Sequence, residues 1–289
     1  MLRSLNSGVS ALQQFQERMD VIGNNIANVN TTGFKSARVD FADAFSQTIG
    51  NTGGSVLQIG TGVATSAIRN QFTQGAIART GVPTDLAISG QGFFVVRDPN
   101  SNAQYLTRDG AFQLDASGYL VTSSGLRLQG YADKDLKERG DLIIDPTGAP
   151  ESSNEGQEDN GDSSESKNQV RGVASFTIDT QGYIRVRLTD GTEFVRGQVL
   201  LQNVQNPHAL AKEGQNLYSN ITAAGPLAQP QPPGSSGLGT IISGALELSN
   251  VDLAQEFSTL ITTQRAFQAG ARVITTSDDI LAEVVNLKR

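Results

Sequence analysis

The side chains able to do chemistry are few and scattered. The chain of 289 residues holds one histidine, His208, and no cysteine. A lone His directly after Pro207 cannot build a multi-His metal site. Without Cys there is no thiolate site, no Cys–His pair and no disulfide framework. No Gly-x-Ser-x-Gly elbow and no Gly-Lys-Ser/Thr phosphate loop occur. Gly-x-Gly stands at Gly60/Gly62, Gly90/Gly92 and Gly237/Gly239, and none continues to the third glycine of a dinucleotide fingerprint. Asp115-x-x-Gly118 and Asp179-x-x-Gly182 could suggest calcium, but they lack the alternating oxygen ligands and late Glu of an EF-hand loop. Tight turns explain them better. The expectation is therefore no enzyme, no catalytic residue, no cofactor and no metal site.

Charge excludes a further class. The net charge is −7. Most of it sits between Glu151 and Asn168, where Glu151, Glu155, Glu158, Asp159, Asp162 and Glu165 face only Lys167. No basic stripe suits a nucleic acid. Polar residues interrupt every apolar stretch near the N-terminus, so no signal-peptide core is expected there. The longest strictly apolar run is Phe93 to Val96, far short of the roughly 20 residues that span a bilayer.

The elements that frame these features begin and end with helices. Leu2, Leu5, Val9, Leu12, Phe15, Met19, Ile22, Ile26 and Val29 recur at gaps of three or four. That is close to the 3.5-residue period of a coiled-coil seam. Asn28 to Gly33 should end this helix, since Asn and Gly accept left-handed backbone. Phe257, Leu260, Gln264, Phe267, Ala271, Ile274, Asp278, Leu281 and Val285 repeat the spacing at the other end. Gln264 and Asp278 are polar at seam positions, where such residues can fix register or partner number; a displacement of the seam by one residue would also explain them. Taken alone, the two stripes fit either an internal helix pair or contacts between copies.

Between the helices the pattern is β. Phe112–Leu120 echoes Phe176–Ile184, each reading strand, Asp-x-x-Gly turn, strand. Two echoes imply two similar hairpins, too few for a solenoid. The stretch from Gly225 to Gly239 holds four of the nine prolines and reads as a linker. Gly50–Gly54 and Gly234–Gly239 read as hinges. The expected fold is mixed and mainly β, with long terminal α-helices pairing as a coiled coil around a central β-domain of short strands and hairpins. The expected domains are 1–32 with 248–289 as the terminal helical domain, and 33–74 as a connecting segment. A β-rich domain follows over 75–224 with a disordered acidic loop at 151–168, then a Pro/Gly linker at 225–247.

Three stretches carry a family resemblance. Met1-Leu-Arg-Ser-Leu5, Gly8-Val-Ser10 and Met19 to Lys35 resemble the N-terminal signature of flagellar rod and hook proteins. Leu246 to Phe257, Thr263 to Phe267 and Ile274 to Asp278 resemble the matching C-terminal end. Ala87 to Phe94 and Tyr105 to Phe112 look like the β-domain shared by that family. Thr80-Gly-Val82-Pro-Thr84-Asp85 departs from the usual Thr-Gly-Asn-Pro-Leu-Asp. The resemblance covers nearly the whole chain apart from the acidic loop.

The resemblance implies a structural polymer subunit. Such proteins leave the bacterial cell unfolded through the flagellar type III export apparatus, without a cleaved signal, and stack as a helical tube. The interface it implies is a coiled-coil seam of Leu5, Val9, Leu12, Met19, Ile22, Ile26, Phe257, Leu260, Phe267, Ile274 and Leu281. Implied partners are other copies of the chain, adjoining rod and hook–filament junction proteins, and the export apparatus and hook cap during assembly. No nucleic acid and no small-molecule substrate is implied. The ending from Thr275 to Arg289 is most like a short hook protein, so the first expectation is a hook subunit acting as a universal joint. The alternative is the distal rod, a straight drive shaft, to which the length is also close.

Overall fold

A computed structural model describes residues 2–52, 55–133, 135–146, 172–226 and 229–287. The acidic segment 151–168 lies outside the described residues. The chain divides into two compact units, one of Met1–Thr73 with Ser249–Arg289 and the other of Gln74–Leu248.

The first unit is built on two long helices, Leu2–Ala27 and Leu253–Leu287. Asp252 opens the C-terminal helix, its carboxylate accepting from Ala254 N at 2.9 Å. That carboxylate satisfies a backbone donor which the first helical turn leaves unpaired. The N-terminal helix stops through Asn28 and Thr31, and Gly33 sits at φ +66°. Residues 33–74, expected as a connecting segment, instead form two antiparallel hairpins. Ala37–Asp43 pairs with Val63–Asn70, and Ser46–Thr52 pairs with Ser55–Gly60. Exposure of Val63–Asn70 alternates along the strand because one face packs on the N-terminal helix. A Cβ on Gly62 (φ +143°) would lie 2.3 Å from Ser10 Oγ, so only glycine allows that approach. Gly50, expected in a hinge, lies within a paired strand, and Gly53 and Gly54 fall outside the described residues.

The second unit is β throughout its core. Its largest sheet has twelve strands among the described residues. Its main path runs Val173–Ile178, Tyr183–Leu188, Glu193–Val199, Arg127–Tyr131, Phe93–Arg97, Gln104–Thr107, Leu217–Ser219 and Ala211–Gly214. All neighbours on this path are antiparallel. Leu86, Phe94, Phe112, Leu120, Leu128, Ile184 and Leu201 are buried in one core. Phe94 and Phe112 meet edge-on at 5.3 Å, a favoured aromatic geometry.

The two echoed turns have matching geometry. Gly118 N donates to Asp115 O at 2.8 Å, and Gly182 N donates to Asp179 O at 2.8 Å. Both glycines have positive φ, +84° and +80°. Each then accepts a strand amide, from Ile144 N at 2.7 Å and from Val199 N at 2.8 Å. Asp115 and Asp179 also accept the next backbone amide, so these carboxylates act in the turns.

The Pro/Gly segment 225–247 is not a free linker. Thr240–Ser243 pairs with Leu86–Ser89, and Ala245–Glu247 pairs with Ile77–Arg79. Gly234–Gly239, expected as a hinge, is a bonded turn. Leu238 N donates to Ser235 O at 2.8 Å, and Gly239 N to Gln91 O at 2.7 Å. Proline and glycine here shape turns between strands whose partners lie more than a hundred residues upstream.

Candidate assembly surface on the terminal helices

The two long helices run antiparallel, as three contacts show. A Cβ on Gly8 would lie 3.2 Å from Ile274 Cγ1, and one on Gly270 would lie 3.2 Å from Leu12 Cδ2. Farther along, Asn25 Nδ2 donates to Glu256 Oε1 at 3.0 Å. The glycines let a large side chain of each helix approach the backbone of the other.

The inward rows follow a seven-residue repeat, but not everywhere through the expected residues. Leu5, Leu12, Met19 and Ile26 are half-buried and Ile22 is buried. Val9 is 39% exposed, and the buried Gly8 takes its place in the row. On the C-terminal helix Leu260, Phe267, Ile274 and Leu281 are half-buried, whereas Phe257 is 48% exposed. Gln264 and Asp278 are exposed, and Thr263 and Ser277 are buried in their stead. The inward row thus alternates large Leu260, Phe267, Ile274 and Leu281 with small Thr263, Gly270 and Ser277. Thr263 and Ser277 tolerate burial because each hydroxyl donates to a carbonyl one turn back, Thr259 O and Val273 O, both at 2.7 Å. A buried Gln or Asp would need partners that this row lacks. Glycine and hydroxyl residues carry no apolar signal, so Gly8, Thr263, Gly270 and Ser277 stand outside the apolar pattern of the sequence.

Polar anchors hold one end of the pair. Asn25, 1% exposed, donates to Ala37 O and accepts from Ala37 N, both at 2.9 Å. Asn250 accepts from Ser36 N at 2.8 Å and donates to Gln71 O at 2.8 Å. The buried Lys35 donates from Nζ to Thr73 O at 2.8 Å. The polar part of the signature, Asn25 through Ser36 with Asn250, therefore closes the hairpin onto both helices. Glu256 is pushed above the usual carboxylate range by burial, against the opposing pull of the Asn25 hydrogen bond and the Arg18 charge.

The outer flanks of the C-terminal helix stay apolar. Leu253, Phe257, Ile261, Val273, Ile280 and Val284 are exposed large hydrophobic residues. Exposed apolar side chains at this density make the helix a candidate contact surface. His208 is exposed on a short turn, and no group of three or more metal-binding side chains occurs among the described residues.

The chain thus combines a β unit with a unit built on a helix pair whose flanks expose apolar side chains. Comparison with known proteins gives the family. Models described as flagella basal body rod protein, flagellar hook protein FlgE/F/G D1 domain and flagellar basal body rod FlgEFG protein C-terminal match residues 5–35, 87–186 and 242–287. The chain is 39% identical over 297 positions to flagellar basal-body rod protein FlgG of Bacillus subtilis (strain 168), covering all of both chains. It is 35% identical to flagellar basal-body rod protein FlgG of Buchnera aphidicola subsp. Acyrthosiphon pisum (strain APS), covering 99% of this chain and 100% of the relative. Against flagellar hook protein FlgE of Borreliella burgdorferi it is 29% identical over 444 positions, again covering all of both chains. The chain belongs to the flagellar rod/hook protein family. It is a structural component of the flagellar basal body or hook, and not an enzyme.

Proposed function

We propose that this chain is a distal-rod subunit that polymerises into a straight, torque-carrying tube. One observation carries the choice of rod over hook. Relatives named rod protein align with this chain nearly residue for residue, over 297 to 299 positions. Those named hook protein need 444 or 467 positions at lower identity, so they hold long segments without a counterpart here. The hook-like ending is a weaker indication than this match in length.

The helix pair supplies the polymer contacts in this reading. Leu5, Leu12, Met19, Ile22, Ile26, Leu260, Phe267, Ile274 and Leu281 line a coiled-coil-like inner seam. Val9 and Phe257, exposed in the single chain, join the flank residues against neighbouring copies. Burying one such side chain contributes about 1.5–3 kcal/mol, so a few per copy offset much of the entropy lost on association. Adjoining rod and hook proteins would meet the ends of the tube, and the subunit would leave the cell by the flagellar export route. Electron microscopy of purified basal bodies carrying a tagged copy is the test. Label along the straight shaft inside the hook is expected. Label in the curved segment outside it would overturn the rod reading and restore the hook.

A further inference from the structure

Two like-charged pairs in the helical unit are left with net charge among the described residues. On the first hairpin Arg38 and Arg69 stand directly opposite each other across the strands. Like charges so placed repel. Asp40 lies between them, its Oδ1 3.0 Å from Arg38 Nε and its Oδ2 3.3 Å from Arg69 Nε. One carboxylate thus holds both guanidinium groups by their Nε atoms. Their Nη groups make no hydrogen bond among the described residues, and the side chains are 63% and 54% exposed. The arrangement is a paired fork with net positive charge, shaped to receive carboxylates.

The second pair is Asp279 and Glu283 on the C-terminal helix. They lie four residues apart, on one exposed face. Like charges at that spacing destabilise a helix, and negative charge near a helix C-terminus adds to the penalty. Neither has a hydrogen-bond or ion-pair partner among the described residues.

The two pairs cannot meet within one chain. Ala37, next to Arg38, is bonded to Asn25, which is bonded to Glu256. From Glu256 to Asp279 the helix climbs about 35 Å at 1.5 Å per residue. No Arg side chain spans that distance. We propose that the Arg38/Arg69 fork of one copy receives Asp279 and Glu283 of a second copy displaced along the helix axis. This rests on the polymer reading above and names a contact within it. A contact between different patches on identical copies is heterologous, and it extends rather than closes. Each copy then relieves the repulsion in the next, and the contact fixes the axial step between them.

Charge exchange in the full-length chain tests the contact. The critical concentration for polymerisation is measured by sedimentation in low salt, with circular dichroism to establish folding. Variant R38E/R69E and variant D279K/E283K should each raise the critical concentration about tenfold or more, since like charges then face each other. The four changes combined should bring it back to within about threefold of wild type, and added salt should shrink all three differences. Folded double variants that polymerise like wild type, or a quadruple variant no better than the worse double, would overturn the contact and leave the polymer reading intact. A wild-type chain that never polymerises would overturn both.

Discussion

Replacing Glu247 by Ala should be among the most damaging single changes in the β unit. Glu247 has a fully buried side chain, and Arg108 is 6% exposed, with 3.2 Å between Glu247 Oε2 and Arg108 Nη1. Glu247 Oε1 also accepts from Gly75 N at 2.9 Å, and Arg108 Nη2 donates to Gly90 O at 2.8 Å. Burial pulls the Arg108 guanidinium below its usual range, and the charge of Glu247 is the largest opposing effect. Removing the carboxylate strands a buried cation, which costs about 3–5 kcal/mol. It also orphans the Gly75 amide, about 1–3 kcal/mol more where that amide stays dry. A loss of about 4 kcal/mol or more is expected, a large share of a domain's usual 5–15 kcal/mol. Native-state hydrogen exchange of the full-length chain, read over residues 74–248, would measure it. The double variant E247A/R108M should recover at least half of the loss. It removes the stranded charge, and Arg108 Nε already has no hydrogen-bond partner among the described residues. A loss below about 1 kcal/mol for E247A would contradict a buried-pair penalty of the usual size. A double variant as unstable as E247A would show that the pair acts through shape and not charge.

Three further changes probe other parts of the chain. Gly182→Ala and Gly191→Ala both force a side chain onto positive φ, +80° and +85°, which alone costs about 1–2 kcal/mol. Only the first also sets a Cβ 2.8 Å from Val199 O, so urea unfolding should show it to be the more destabilised by about 1 kcal/mol or more. Equal losses would mean that the turn shifts freely. Glu256→Gln keeps a hydrogen-bonding side chain and removes a charge whose folded pKa is raised by burial. A raised carboxylate penalises the folded state above its unfolded pKa and not below it. The variant should therefore match or exceed wild-type thermal stability at pH 7, with any advantage vanishing as pH falls through the ordinary Glu range. A wild-type advantage at pH 7 that grows with pH would reverse this sign. Ile274→Asp puts a charge against Gly8 in the helix seam and should abolish sedimentable polymer while hydrogen exchange over residues 74–248 stays as in wild type. Normal polymer from this variant would mean that the seam is not needed for assembly.

Local chemistry in the chain determined a good deal unaided. Asn and Gly after Ala27, the two Asp-x-x-Gly turns and the seven-residue apolar repeats each act over a few residues, so their types and spacing place helix ends, hairpins and the terminal helices. The single His and the absence of Cys likewise left little from which to build a catalytic group. Tertiary structure decided what depends on remote partners. Whether Gly8 or Val9, Thr263 or Gln264, faces inward turns on which side chain of the other helix must approach the backbone and on whether a hydroxyl can reach the carbonyl one turn back. Residues 225–247 look like a linker until Leu86–Ser89 and Ile77–Arg79 offer them strands to pair with. Arg108 and Glu247, which the chain places 139 residues apart, become a buried pair only once the sheet removes both from water. Hydrogen bonding and desolvation reward groups for their neighbours in space, and across such sequence separations folding alone supplies those neighbours.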